Sequence, residues 1–120
     1  MKVKSLCNPN HLKGLFFESL AVVFLLLKGY HIVAHNLRGR QAQVDILAIK
    51  NKILVVVEVK FRNKKDAAHT AIHPVQMNRL MNQANQLKNR YKCEGIRIDA
   101  LFFYPLWPFV EHVQNIKDAQ

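Results

Sequence analysis

The chain has 120 residues, 50% of them hydrophobic and 22% charged, and its 18 Lys and Arg against 8 Asp and Glu give a net charge of +10. A chain of this length buries roughly two thirds of the surface that it exposes when unfolded, so it forms an ordinary core without disulfides or a structural metal. We therefore expect a single domain over residues 1–120. Two cysteines, Cys7 and Cys93, are too few and too far apart for a disulfide framework, which favours a reduced, cytoplasmic setting.

The excess of positive charge favours polyanions, and nucleic acid in particular, as partners. The apolar run from Leu20 to Leu27 raises the question of a targeting or membrane segment. It has only eight residues, against the about 18 needed to cross a bilayer, and it lies between Glu18 and Lys28. We expect a buried helix there and no association with a membrane.

The first predicted element is a helix from about Lys13 to Lys28, which ends at Gly29. Apolar residues cover most of its circumference, so we expect it to be buried on more than one side. The run from Tyr30 to Ala34 predicts a short strand, and the stretch from Asn36 to Arg40 predicts a basic turn.

Two strand-like runs follow, Gln43 to Lys50 and Ile53 to Phe61. Asn51-Lys52 between them suits a two-residue hairpin turn, because Asn tolerates the left-handed backbone that such a turn requires. The polar stretch from Arg62 to His73 lacks periodicity and predicts a loop.

A second helix is predicted to begin at Pro74, because apolar residues then repeat at intervals of three and four: Met77, Leu80, Met81, Ala84, Leu87 and Tyr91. Arg97 to Tyr104 predicts a further strand, and Phe109 to Val113 a last short one. The predicted order is α-β-β-β-α-β-β, an α/β fold.

The hairpin contains the most informative residues. Its two-residue turn fixes the pairing and places Asp45 opposite Glu58 and Gln43 opposite Lys60, and alternation puts all four side chains on one face. Opposed carboxylates destabilise a sheet unless something compensates their charge, and a divalent cation would do so. Oxygen ligands suit Mg²⁺ or Mn²⁺, and Lys60 could then orient a water or stabilise negative charge on a phosphate.

The alternative is that Asp45 and Glu58 lie on a solvated face with Lys60 as an ion-pair partner. Against it, Glu58 is the only charge from Ile53 to Val59, a run typical of a buried strand, and a buried carboxylate needs a partner. Glu18 on the apolar first helix is expected to turn inward as a third acid that holds a water at the metal. Its alternative is an exposed glutamate near the helix start.

Almost the whole chain carries a resemblance to a known family. Its residues are Gly14 and Glu18, Lys28-Gly29-Tyr30, Asn36-Leu37-Arg38, Val44-Asp45-Ile46-Leu47, Val57-Glu58-Val59-Lys60 with Arg62, Arg79-Leu80 and Arg97-Ile98-Asp99. The acid on a helix followed by Asp and Glu-x-Lys resembles the PD-(D/E)xK, or restriction-endonuclease-like, superfamily. The full set resembles the YraN family of small bacterial proteins, which are similar to archaeal Holliday-junction resolvases.

This resemblance implies a restriction-endonuclease-like core, a mixed sheet flanked by helices. It implies that Asp45 and Glu58 bind Mg²⁺ or Mn²⁺, that Glu18 and Lys60 complete a catalytic site, and that the substrate is DNA, with a homodimer possible. The chain departs from the family's pattern in two places. The family usually has Gly-Glu-Ile-Asp where this chain has Ala42-Gln43-Val44-Asp45, and Lys where it has Gln76.

Basic residues flank the proposed site from the turn and the loop on either side of the hairpin: Arg38, Arg40, Arg62, Lys64 and Lys65. Each alone is typical of a solvated loop, but as a group they would follow a phosphate backbone without reading its sequence.

Three functions remain open on the sequence. The first is a Mg²⁺- or Mn²⁺-dependent nuclease acting on DNA, with branched or structured DNA among the expected substrates. The second is a nucleic-acid-binding module with a degenerate nuclease site, of which Gln43 is one sign. The third is a basic protein-interaction domain without a nucleic-acid role.

Overall fold

The structure is a computed structural model that describes residues 9–63, 72–107 and 109–116, with side chains in the first helix from Phe16 onward. Its elements are α1 (Pro9–Leu27), β1 (His31–Arg38), β2 (Gln43–Lys50), β3 (Ile53–Phe61), α2 (Pro74–Arg90), β4 (Gly95–Phe103) and β5 (Val110–Val113). The predicted order α-β-β-β-α-β-β is confirmed.

The five strands form one mixed sheet in the order β1-β2-β3-β4-β5. Neighbouring strands are antiparallel except β3 and β4, which are parallel. Parallel neighbours need a crossover connection, and α2 lies within this one. The predicted α/β architecture, a mixed sheet flanked by helices, is confirmed and is consistent with a restriction-endonuclease-like core.

Each face of the sheet is covered by one helix. On the first face, Ala21 and Leu25 of α1 pack with a buried cluster from the central strands that includes Ile46, Val57 and Leu101. On the opposite face, α2 packs on a second cluster. Its buried apolar residues are Met77, Leu80, Ala84 and Leu87, four of the six that the helical periodicity predicts, and the other two are half-buried.

The hairpin forms as predicted. Asn51 and Lys52 have φ angles of 52° and 65°, the left-handed values that a two-residue turn of this kind needs. The ladder runs from the pair Lys50 with Ile53 to the pair Ile46 with Val57, which is the predicted register. It ends one position before the two predicted acids.

Two sequence predictions about α1 and β1 are wrong. Strand β1 extends to Arg38, because Leu37 and Arg38 pair with Val44 and Gln43 instead of starting a turn. Helix α1 begins at Pro9 rather than near Lys13.

Helix α1 is also not buried on more than one side, since Phe16, Val23 and Leu27 are 59%, 53% and 84% exposed. A helix on one face of a single sheet contacts that sheet along one stripe only.

The predicted loop from Arg62 to His73 is only partly described. Residues 62 and 63 at its start and residues 72 and 73 at its end belong to neither a helix nor a strand. Residues 64–71 lie outside the described ranges. Among the helices that the structure describes, none has both the length and the apolar character to cross a membrane.

Candidate functional site

The candidate site lies where β2 separates from β3. Val44 packs in the cluster beneath α2, whereas Ile46, two residues later, packs in the cluster beneath α1, so the regular alternation of β2 breaks between them. Continued pairing would give the backbone N–H of Val59 a partner on the backbone of Val44. Instead this N–H donates to the Asp45 Oδ2 atom over 2.9 Å.

Glu58 occupies the adjacent position on β3 and is almost fully enclosed. Its side chain is 3% exposed. Its Oε1 atom is buried and has no hydrogen-bond partner among the described residues. Because an unsatisfied buried acceptor destabilises a protein, this oxygen marks a place where a ligand would restore lost solvation.

The electrostatics of Glu58 link all four predicted catalytic residues. The pKa of Glu58 is raised from 4.5 to about 9, first by burial and then by the negative charge of Asp45 and a hydrogen bond to it. The charge of Lys60 lowers the pKa, and the charge of Glu18 raises it least. The structure therefore brings Asp45, Glu58 and Lys60 together, with Glu18 within electrostatic reach.

Lys60 and Arg62 follow Glu58 at alternate positions on β3 and its continuation, so they face the same side. Both are half-buried, which places them between the enclosed Glu58 and the solvent. The Arg62 backbone N–H donates to the Phe103 carbonyl over 2.9 Å, and its guanidinium lies 5.9 Å from the Phe102 ring centroid. Arg62 is thus held at the edge of the sheet, beyond the acids.

Glu18 reaches the sheet through an amide that the sequence analysis did not single out. The Asn36 Nδ2 atom donates to Glu18 Oε2 over 3.3 Å, and Asn36 Oδ1 accepts from Gln43 Nε2 over 3.3 Å. Asn36 has a φ of 53°, unusual for a residue within a strand. Two features of the sequence could have pointed to it: Asn adopts this conformation readily, and Asn36 belongs to the Asn36-Leu37-Arg38 group that contributes to the family resemblance.

The predicted pair of Gln43 with Lys60 does not form. The ladder between β2 and β3 ends at Ile46, three residues before Gln43, whose ladder partner is Arg38 on the other edge of β2. The break at Asp45 is the physical reason, since register cannot be extrapolated through it. Gln43 therefore belongs to the Glu18 and Asn36 side of the site.

The remaining predicted residues lie around the connection between β1 and β2. Arg38 and Arg40 line a cavity of about 420 Å³ together with Arg90 of α2. Gln76 lines a second cavity, of about 510 Å³, together with Gln43 and Arg79. Lys64 and Lys65 lie outside the described residues.

The residues present fit a hard divalent cation with few protein ligands. Asp45 and Glu58 offer carboxylate oxygens, and Glu58 Oε1 lacks any other partner among the described residues. Within those same ranges, no three or more His, Cys, Asp or Glu side chains are grouped as a site built from protein ligands alone would require. Mg²⁺ is commonly bound by one or two carboxylates plus water and substrate phosphates, so two acids suffice.

Comparison with known proteins assigns the chain to a family. The model of "Uncharacterised protein family UPF0102" matches residues 17–103. A UPF0102 protein from Parvibaculum lavamentivorans is 39% identical over 99 residues, which cover 79% of this chain and 74% of that protein. One from Rhizobium leguminosarum is 43% identical over 94 residues, which cover 70% of this chain and 77% of that protein. One from Methylorubrum extorquens is 33% identical over 117 residues, 94% of this chain and 90% of that protein. The chain therefore belongs to the UPF0102 family, which is the YraN family that its sequence resembles.

Proposed function

We propose that the protein is a metal-dependent nuclease that hydrolyses phosphodiester bonds in DNA. One observation carries this proposal: Glu58 is buried beside Asp45 with its Oε1 unpartnered among the described residues, at the point where two strands separate. Such an arrangement is unfavourable for an empty protein and favourable for one that binds a cation.

In this proposal Asp45 and Glu58 hold Mg²⁺ or Mn²⁺. The bound ion supplies Lewis acidity at the phosphate and lowers the pKa of a water. Hydrolysis replaces one P–O ester bond with a P–O bond from water and leaves one phosphate end and one hydroxyl end.

The side chains around the acids have separate roles. Lys60 places positive charge beside the acids, where it stabilises the charge that develops on the phosphate. Glu18, fixed by Asn36, orients the attacking water.

The charge of the whole chain supports a nucleic-acid substrate. Three of the 8 acidic residues are Glu18, Asp45 and Glu58, so the rest of a chain with net charge +10 is still more basic than its total suggests. Lys and Arg that neutralise phosphates release condensed counterions and drive binding. Similarity of the family to Holliday-junction resolvases suggests branched DNA as the preferred form.

A second candidate function is a nucleic-acid-binding module whose nuclease site is degenerate. It is favoured by Gln43, which stands where the family usually has Glu. The Gln43 Nε2 atom donates a hydrogen bond to Asn36 Oδ1. An amide in that place carries no negative charge toward a cation.

A cleavage assay tests the proposal. Wild type and Asp45→Asn are incubated with duplex, single-stranded, flap and four-way-junction DNA, with and without Mn²⁺. We expect cleavage by the wild type only with the metal, and a loss of about 100-fold or more in Asp45→Asn, because one of two ligands to the ion loses its charge.

Lys52→Asn is the matched control, since it removes an exposed charge at the hairpin turn and keeps a residue that tolerates a left-handed backbone. It should cleave like the wild type. Equal cleavage by a clean preparation of Asp45→Asn would refute the assignment, and binding of DNA without any cleavage would favour the module.

A further inference from the structure

The connection between β1 and β2 is clamped against helix α2. A Cβ atom placed on Gly39 would overlap the side-chain amide of Gln83, so any other residue there would have to displace this amide. Gln83 is 5% exposed, and its Oε1 accepts from the backbone N–H of Gln41 over 3.1 Å. The connection therefore has a fixed position on α2, although it lies at the surface.

This clamp sets three arginines around one cavity. Arg38 and Arg40 flank Gly39, and Arg90 comes from the last turn of α2; together with Gln86 they line a cavity of about 420 Å³ that we call the arginine pocket. The three arginines are exposed, so their guanidinium groups are accessible to a ligand.

The part of the chain that the structure describes supplies no counter-charge to the arginine pocket. None of the described residues that line it is acidic. Over residues 9–63, 72–107 and 109–116, none of Arg38, Arg40 and Arg90 forms an ion pair with an acidic side chain. Like charges held together in this way create a positive potential that attracts an anion.

Helix α2 extends the same character beyond the pocket. Its sequence from Pro74 to Arg90 contains no Asp or Glu. Polar residues recur on one face at intervals of three and four: Gln76, Arg79, Gln83, Gln86 and Arg90. Gln76 and Arg79 line the neighbouring cavity on the other side of the clamped connection, with Gln41 and Gln43. A basic, amide-rich track thus runs along α2.

We propose that the arginine pocket binds a phosphate group of the DNA backbone and that the DNA lies along this face of α2. The proposal rests on the proposed function only in its choice of DNA as the polyanion, and it does not require cleavage. Planar guanidinium groups match phosphate oxygens in a two-pronged geometry, and amide side chains donate further hydrogen bonds to a backbone without reading its sequence.

The test is binding of a fluorescent DNA duplex by anisotropy in EDTA, over a series of salt concentrations. Arg40→Gln and Arg90→Gln should each bind about 3- to 10-fold more weakly, and each should reduce the slope of log affinity against log salt by about 0.9. Both residues are exposed, and a circular dichroism spectrum checks that each variant is folded.

Two control variants separate this proposal from the nuclease. Lys52→Asn removes one charge at the opposite end of β2 and should change affinity less than 2-fold and leave the slope near that of the wild type. Asp45→Asn should bind DNA in EDTA at least as tightly as the wild type, because it removes a negative charge.

The outcomes distinguish the two proposals. If Arg40→Gln and Arg90→Gln bind like Lys52→Asn, the arginine pocket is not a phosphate site, whatever cleavage shows. Weakened binding by both variants supports the pocket even if the wild type never cleaves DNA. Inorganic phosphate should compete with the DNA duplex for the wild type but not for Arg40→Gln or Arg90→Gln, and this result would support the pocket further. Equal competition in all variants would count against it.

Discussion

Glu58 is the residue whose surroundings are hardest to explain without a ligand. Its carboxyl is buried beside Asp45, and among the described residues no donor satisfies its Oε1. A purely structural position of this kind would favour an apolar or amide side chain, because those avoid the free energy lost on removing a charge from water. Glu58 therefore lowers the stability of the folded protein.

The pH dependence of stability should reveal this cost. The pKa of Glu58 is about 9 in the folded protein and 4.5 ordinarily, so the folded state holds the proton more tightly and stability falls as pH rises through that interval. In EDTA, the free energy of unfolding of the wild type should decrease as the pH rises from about 5 to about 8. The decrease for Glu58→Gln should be smaller by about 1–4 kcal/mol, because the glutamine has no proton to lose.

Chemical denaturation at each pH measures this difference. Glu94→Gln is the control, because it replaces an exposed glutamate and should follow the wild type. Parallel pH profiles for the wild type and Glu58→Gln would show that Glu58 is not forced into an unfavourable environment.

Single residues differ in how far the sequence predicts them. That Asp45 and Glu58 come close could be predicted, because a two-residue turn fixes the register as far as the pair Ile46 and Val57, one position before them. The break of β2 at Asp45, which ends the paired strands there, could not be predicted. The bridging role of Asn36 and the clamp of Gln83 on Gly39 could not, because they depend on how separate elements approach in three dimensions. A polar residue inside an amphipathic helix gives no local sign that it is buried.

Among the elements, strand β4 ties β5 to the sheet through a buried carboxylate. Asp99 is fully buried and accepts from Arg97 through Nε over 2.8 Å and Nη2 over 2.9 Å. The ring of His112 lies 2.8 Å away, and the Asn115 backbone N–H donates over 2.9 Å. Arg97 also donates to the Tyr30 hydroxyl over 2.6 Å, which connects β4 to the end of α1.

Breaking this network should cost far more than a surface substitution. Burial raises the pKa of Asp99, but hydrogen bonds from His112, Arg97 and Asn115 outweigh it and lower that pKa overall. Asp99→Asn should lose about 3–5 kcal/mol of unfolding free energy near neutral pH, because it leaves the Arg97 cation without its partner.

The contribution of Asp99 to the free energy of unfolding changes with pH in the opposite direction to that of Glu58. Stability from an acid of lowered pKa is present above its ordinary value and is lost on acidification, so the wild type and Asp99→Asn should converge as the pH falls below 3.8. Urea denaturation at neutral and acidic pH measures both effects. A loss under about 1 kcal/mol at neutral pH would mean that Asp99 contributes no more than an ordinary hydrogen bond.

Elements were predicted well where periodicity and turn residues agree, as in the hairpin and in α2. Helix α1 shows the limit of that reasoning. Its apolar residues cover most of its circumference, yet Phe16 and Leu27 remain largely exposed, because one sheet face can cover only one stripe of a helix. Apolar content predicts that a helix packs, but how many neighbours it packs against depends on the rest of the fold.

For the molecule as a whole, the arrangement of charge connects the site to its proposed substrate. The chain carries a net charge of +10, yet Glu18, Asp45 and Glu58 are drawn toward one end of the central strands. The arginine pocket and the acid-free face of α2 lie on the side of the sheet opposite α1. Carboxylates that lie close together in a chain of net positive charge are suited to a cation and to a polyanion at once.

The most direct test of a metal site at Asp45 and Glu58 is the binding of Mn²⁺, measured by isothermal titration calorimetry. The proteins compared are the wild type, Asp45→Asn, Glu58→Gln and the Lys52→Asn control. We expect one ion per chain for the wild type and the control, with affinity at least about 10-fold weaker in both acid variants. No binding by the wild type at millimolar Mn²⁺, or unchanged binding by the two acid variants, would contradict it.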